Sequence, residues 1–180
     1  MPVVYTPGNN EWTDCHEPRP GGYDPLERLA AIRRIFFADT SWNNASALTL
    51  RSQAADSQWA TFVENQQWVF GGILFATMHV VGSDNALEDF AGRTEANDLE
   101  VATREAAALA WMGAAFAEAE RLDTRAVVLA IHADPTLRAA GKRKRRTGNS
   151  RPSWQHWPTA GPNLCCSFMV TITSSPSIAR

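Results

Sequence analysis

Eleven residues near the start of the chain, Thr6-Pro7-Gly8-Asn9-Asn10-Glu11-Trp12-Thr13-Asp14-Cys15-His16, gather amide oxygens, two carboxylates, a thiol and an imidazole. They follow a short apolar run, Val3-Val4-Tyr5. A polar loop at the carboxyl end of a strand is where α/β proteins aim several side chains at one point, so this loop is a candidate for cation binding or proton transfer. It is equally the composition of a turn in which Asn and Asp bond their own backbone. Two further imidazoles stand at the ends of apolar runs. His79 lies within Ile73–Val81, just before Gly82-Ser83-Asp84-Asn85, and His132 follows Ala126–Ile131 in His132-Ala133-Asp134-Pro135. Imidazole nitrogen suits Zn, Fe and related ions, and a rigid strand end fixes its position.

The elements that must position these groups read as alternating helix and strand. Val3–Tyr5 has the β-branched content of a strand. Asp24 as N-cap, Pro25 at the first helical position and Glu27 three residues after the cap open a helix. Its apolar face is Leu26, Leu29, Ala30, Ile32 and Phe36, with Arg28, Arg33 and Arg34 turned mostly outward. Residues 38 to 66 show no sustained period and read as a long connection. Gln67–Phe70, Gly71-Gly72 and Ile73–Val81 form two strands around a hairpin turn. A long helix spans about Leu99 to Leu122, with Leu99, Ala102, Ala106, Leu109, Met112, Phe116 and Ala119 expected inside. The buried strand Ala126–Ile131 follows it. Helix and strand joined by short links fit an α/β layer architecture.

The 180 residues are enough for one domain with a real core, and 44% hydrophobic with 20% charged residues excludes wholesale disorder. No run approaches the length of a membrane span. Cys15, Cys165 and Cys166 make neither a disulfide framework nor a Cys-x-x-Cys metal site. The net charge of −2 hides a split: all 19 acidic residues lie in residues 1 to 135, whereas residues 136 to 180 carry eight basic residues and no acid. Lys142-Arg143-Lys144-Arg145-Arg146 sits at its centre, a run able to bind a phosphate backbone electrostatically.

Gly8-Asn9-Asn10-Glu11 after a strand resembles the third motif of the calcineurin-like metallophosphoesterase superfamily, Gly-Asn-His followed by Asp or Glu. The run through Trp12-Thr13-Asp14-Cys15-His16 and then Gly21-Gly22-Tyr23-Asp24-Pro25-Leu26-Glu27-Arg28-Leu29 is similar to a bacterial subgroup of that superfamily. The resemblance implies that Asn9 is a ligand of one metal of a two-metal centre. Asn10 stands where the family has the His that contacts phosphate, and the subgroup often carries Asn there. His132 at the end of an apolar strand, before a Pro-containing turn, resembles the fourth motif, whose His binds metal. In the subgroup a His like His79 and its Gly-Ser-Asn turn recur beside the cleft, which implies a substrate-side role.

The resemblance covers about residues 3 to 135. The family's earlier Asp-x-His and Gly-Asp motifs and its final Gly-His-x-His motif do not occur; His156 in Trp154-Gln155-His156-Trp157 is no substitute. The expectation is therefore a fragment of a four-layer α/β/β/α sandwich in residues 1–135, followed by a disordered or frame-shifted basic tail in residues 136–180. The implied activity is phosphate-ester hydrolysis by a water activated between two divalent ions, Mn, Fe or Zn. Asn9 and His132 are the metal residues and Asn10 and His79 the catalytic ones, in a chain expected to hold metal weakly and turn over little. The rival expectation is a non-enzymatic binder of nucleic acid or another polyanion through the basic tail, and it predicts steep salt dependence.

Overall fold

The structure is a computed structural model, and it describes residues 2–38 and 48–133 together with the backbone of Cys165–Val170. The rest of the basic tail expected in residues 136–180, its charge run included, lies outside the described residues. The architecture is α/β: helices and a mixed sheet in the order β1-β2-β3-β4-β5. The strands are β1 (Arg51–Ser52), β2 (Gln66–Phe70), β3 (Ile73–Thr77), β4 (Ala126–Ile131) and β5 (Cys165–Val170). β1 to β3 run antiparallel to one another, and β3, β4 and β5 run parallel. The hairpin between β2 and β3 turns on Gly71 and Gly72, with φ of +59° and +74°. Both central residues of a type I′ turn need positive φ, which glycine adopts without a Cβ clash.

The α-helical elements among the described residues are α1 (Pro25–Phe36), α2 (Gly82–Ala86) and α3 (Glu95–Arg121). α1 starts as expected, the Asp24 carboxylate accepting the Leu26 N–H at 2.9 Å with Pro25 behind it. α3 opens on a Thr94–Asn97 capping box and lies across one face of the sheet. There Ala108, Trp111, Met112, Ala115 and Ala119 pack on Leu74, Ala76, Val127, Leu129 and Ile131. Of the positions expected inside, Met112 and Ala119 are buried and Leu109 and Phe116 pack on the core. In the first half of the helix the buried residues instead include Val101, Arg104, Ala107 and Ala108, and Leu99 is 68% exposed. A helix so rich in alanine offers two faces of similar apolarity, and the bulk of Trp111 and Met112 decides between them.

Val3–Tyr5 joins no described strand, which corrects the expected N-terminal strand. Tyr5 instead packs on Phe36 and Phe37 at the end of α1, with ring centroids 4.8 and 5.8 Å away. That contact holds the chain against α1 in a second small core of Trp12, Leu29, Ile32 and Val81. Among the described residues no helix is long and apolar enough to cross a membrane.

Candidate functional site

Three segments converge at the carboxyl ends of β3 and β4: the loop Pro7–His16, α2 with its approach Met78–Val81, and His132. The loop closes on the carbonyl of Asn9, which accepts the N–H of Trp12 at 3.2 Å and of Asp14 at 3.1 Å. The Thr13 hydroxyl lies within reach of that carbonyl (3.2 Å) and of Asp14 Oδ1 (2.8 Å) and gives its single proton to one at a time. Glu11 folds back so that its carboxylate accepts the Gly8 N–H at 2.9 Å. With its backbone held in this way, Asn9 donates from Nδ2 to Asp14 Oδ2 at 2.5 Å and to Ser83 Oγ at 3.1 Å. An ionised carboxylate only accepts, so the amide must face Asp14 with its nitrogen. Asn9 Oδ1 is thereby turned toward Gly82, 3.1 Å from where a Cβ on that glycine would stand.

Ser83 completes a triangle, its Oγ donating to Asp14 Oδ1 at 2.7 Å while accepting from Asn9. What delivers it is α2, whose residues Ser83, Asp84, Asn85 and Ala86 have φ between +52° and +67°. A run of left-handed residues is rare, because each one places its Cβ against the following carbonyl at about 1–2 kcal/mol, less for Asn and Asp. The turn is held by Arg104. Its guanidinium donates to Asn85 Oδ1 and, at 3.0 Å, to Asn85 O. The fully buried Arg104 also pairs with Glu100 at 2.8 Å, reaches His79 O at 3.1 Å and lies 5.3 Å from the Trp12 ring. Polar residues adopt strained φ where the surroundings over-determine it, and such places cluster at functional sites.

His132 faces the same point from β4. Gly82 N–H donates to its Nδ1 at 3.2 Å, and a Cβ on Gly8 would stand 2.8 Å from its Nε2. Asn9 and His132, distant in sequence, thus stand on either side of Gly82. Asn10, the next residue of the loop, is exposed.

His79 is placed differently from the substrate-side position the resemblance implied. It is fully buried, and each of its polar atoms is engaged. Its N–H donates to Asn65 Oδ1 and its carbonyl accepts from Arg104. Nδ1 meets Glu64 at 2.7 Å and Nε2 meets Trp12 Nε1 at 3.1 Å. The ring therefore braces the loop from beneath and touches no solvent-facing cleft. Burial depresses the pKa of His79, with Glu64 opposing and Arg104 assisting. Burial also opposes ionisation of Glu64, but hydrogen bonds from His79 and Arg33 outweigh it and pull the carboxyl down to about 2. Indole N–H can only donate, so Nε2 carries no proton and His79 is neutral. Arg33, whose Nη2 lies 2.6 Å from Glu64, is the cation that keeps it ionised.

Sequence reasoning missed Glu64, Arg33 and Arg104. Arg33 was expected to face solvent with the other arginines of α1. The available signal for Arg104 was an arginine between Val101 and Ala108 at helical spacing, since a cation on an apolar stripe must bring its own partners.

Among the described residues no group of three or more His, Cys, Asp and Glu side chains stands close enough to hold a metal ion. Comparison of the chain with protein-family models, with curated proteins and with solved structures finds no match in any of the three.

Proposed function

We propose that this chain carries part of the two-metal site of a calcineurin-like metallophosphoesterase acting on phosphate esters. The observation that supports the reading most is the meeting of Asn9 and His132 across Gly82, since the resemblance assigns a metal ligand to each. Asn9 fits as an oxygen donor, because Asp14 and Ser83 occupy its nitrogen and leave the carbonyl side presented. His132 fits with a cost. Its Nδ1 accepts the Gly82 N–H, so the neutral ring bears its proton on Nε2, and a cation must displace one or the other. Two donors are fewer than a dinuclear centre needs, so weak metal binding and little turnover are expected of this chain. When bound, the cations would activate water and neutralise phosphoryl charge.

The chain's own residues would divide the remaining work. Asn10, exposed on the loop, would meet the phosphate with a neutral amide in place of an acid. Glu11 supports the loop through Gly8, and His79 with Trp12 keeps it seated. The four-layer sandwich belongs to the same proposal. Phe70 is exposed and Trp68, Ile73, Phe75 and Val128 are half-buried on the sheet face opposite α3, with Trp68 and Phe75 stacked at 5.3 Å. A second sheet packed there would bury them.

The test is titration of the purified chain with Mn2+ and Zn2+, alongside hydrolysis of an aryl phosphate. Weak binding that disappears in Asn9→Ala and in His132→Ala supports the reading. Binding unaffected by either substitution, or none at millimolar metal, ends it. Salt-sensitive binding of nucleic acid that vanishes on deleting residues 136–180 would put the polyanion binder in its place.

A further inference from the structure

We propose that Asp14 and Ser83 are positioning residues that hold the Asn9 amide with its oxygen presented to a divalent cation, and that the left-handed turn α2 exists to deliver Ser83. The cation part of this inference rests on the reading above. The clamp itself rests on geometry alone. An unrestrained asparagine amide flips between two nearly isosteric orientations, only one of which offers oxygen to a cation. Here Asp14 Oδ2 at 2.5 Å and Ser83 Oγ at 3.1 Å both receive the nitrogen, and Ser83 in turn donates to Asp14 Oδ1 at 2.7 Å. The three side chains form a closed ring of hydrogen bonds in which reversing the amide would set oxygen against carboxylate. Outer partners of this kind typically change metal affinity 10- to 100-fold when removed.

The turn gives the clamp its second jaw. From β3 the chain could continue in extended or right-handed geometry at lower cost. Instead four successive residues take positive φ, and a fully buried arginine is committed to keeping them there. The same Arg104 guanidinium lies against Trp12, which belongs to the loop carrying Asn9 and Asp14. Both halves of the clamp are thus referred to one rigid group on α3, a helix anchored on β3 and β4. A turn serving only to reverse the chain would not need a hydroxyl at its second residue or a buried cation behind it.

The experiment uses the full 180-residue chain, labelled with 15N, in wild-type, Ser83→Ala and Asp14→Asn forms. The readouts are the Asn9 side-chain NH2 resonances without metal, and their paramagnetic broadening as Mn2+ is added. Expected are well-separated NH2 protons in the wild type, collapsing toward the values of a solvated amide in both variants. Mn2+ affinity should fall about 10-fold or more. Ser83→Ala leaves the loop's backbone bonds to Asn9 intact, so it separates clamp from folding if Asp14→Asn unfolds. Unchanged Asn9 resonances in Ser83→Ala overturn the clamp and leave the phosphoesterase reading standing. Absence of Mn2+ broadening at Asn9 and His132 in the wild type, with the NH2 signature still responding to Ser83→Ala, overturns that reading and the cation as the purpose of the clamp.

Discussion

Trp12 Nε1 donates to His79 Nε2 at 3.1 Å across 67 residues of sequence, and this one bond sets the charge state of the buried network beneath the candidate site. With Nε2 accepting, the ring proton resides on Nδ1 and is given to Glu64. The imidazole is neutral, and the charges around it are those of the Arg33–Glu64 and Arg104–Glu100 pairs. Nitrogen-15 shifts of the His79 ring should accordingly report a pyridine-type Nε2 and a protonated Nδ1 at pH 7. In Trp12→Phe the acceptor is left buried without its donor, which should cost about 1–3 kcal/mol for the lost bond alone. An imidazolium signature in the wild type at pH 7 would refute this assignment.

Acid should unfold the protein in two stages. His79 in the unfolded chain titrates near 6.5 and in the folded chain lower, so the unfolded state binds more protons once pH drops below about 6.5. That part of the stability is complete above 6.5 and declines as pH falls toward the depressed folded value. Glu64 adds a second loss between its unfolded 4.5 and the folded value of about 2. Urea midpoints measured from pH 8 to pH 2 should therefore be level above about 7 and fall below 6.5, more steeply under 4.5. Glu64→Gln should be less stable at pH 7, since Arg33 loses its partner, and should lack the lower stage. A midpoint that stays level from pH 7 to pH 5 would contradict the buried neutral histidine.

Local signals made much of this fold legible. Asp24-Pro25 announces α1, the paired glycines announce the β2–β3 hairpin, and the β-branched run announces β4 with its actual limits. The Gly8–Glu11 loop and His132 were identifiable as chemistry-bearing by residue type and by position after apolar runs. What was illegible depends on contacts between distant segments. Arg33 reads as one more solvated cation until Glu64, 31 residues away, is known to lie under it. The α2 turn was not legible, because Ser-Asp-Asn-Ala predicts an ordinary turn and the bonds that hold the left-handed run, from Arg104 to Asn85 and from Ser83 to Asp14, come from distant segments. Val3–Tyr5 has strand composition, but composition cannot supply a neighbouring strand, and the aromatic contacts of Tyr5 prevail.

Arg104→Met should be among the most damaging single substitutions. The side chain is fully buried and serves Glu100, Asn85 and the His79 carbonyl, so its loss takes a donor from a carboxylate and from three other oxygens. Breaking a buried ion pair from one side costs about 3–5 kcal/mol. Arg121→Met removes a pair of similar length, 2.7 Å to Glu118, but on the surface, where water and salt screen the pair and little stability is lost. Chemical denaturation of the two variants side by side checks this. Equal midpoints would mean that Arg104 does not hold α2.

Gly8→Ala should disturb His132 without opening the Asn9 clamp. Gly8 is not in the left-handed region, so the obstacle is space rather than backbone strain. An added Cβ would lie 2.7 Å from His132 Cδ2, 2.8 Å from His132 Nε2 and 2.8 Å from Glu11 Oε2. Glu11 is exposed and can swing aside, whereas His132 is fixed through its backbone N–H to Val80 O and through Nδ1 to Gly82. The imidazole must rotate, losing the Gly82 bond. Overpacking of this kind costs about 1–3 kcal/mol. The ring resonances of His132 should shift and their broadening by Mn2+ should weaken, while the Asn9 NH2 pattern persists because Asp14 and Ser83 are untouched. If His132 resonances and stability both match the wild type, the loop does not press on His132 as the geometry requires, and the pairing of Asn9 with His132 around one cation loses its structural basis.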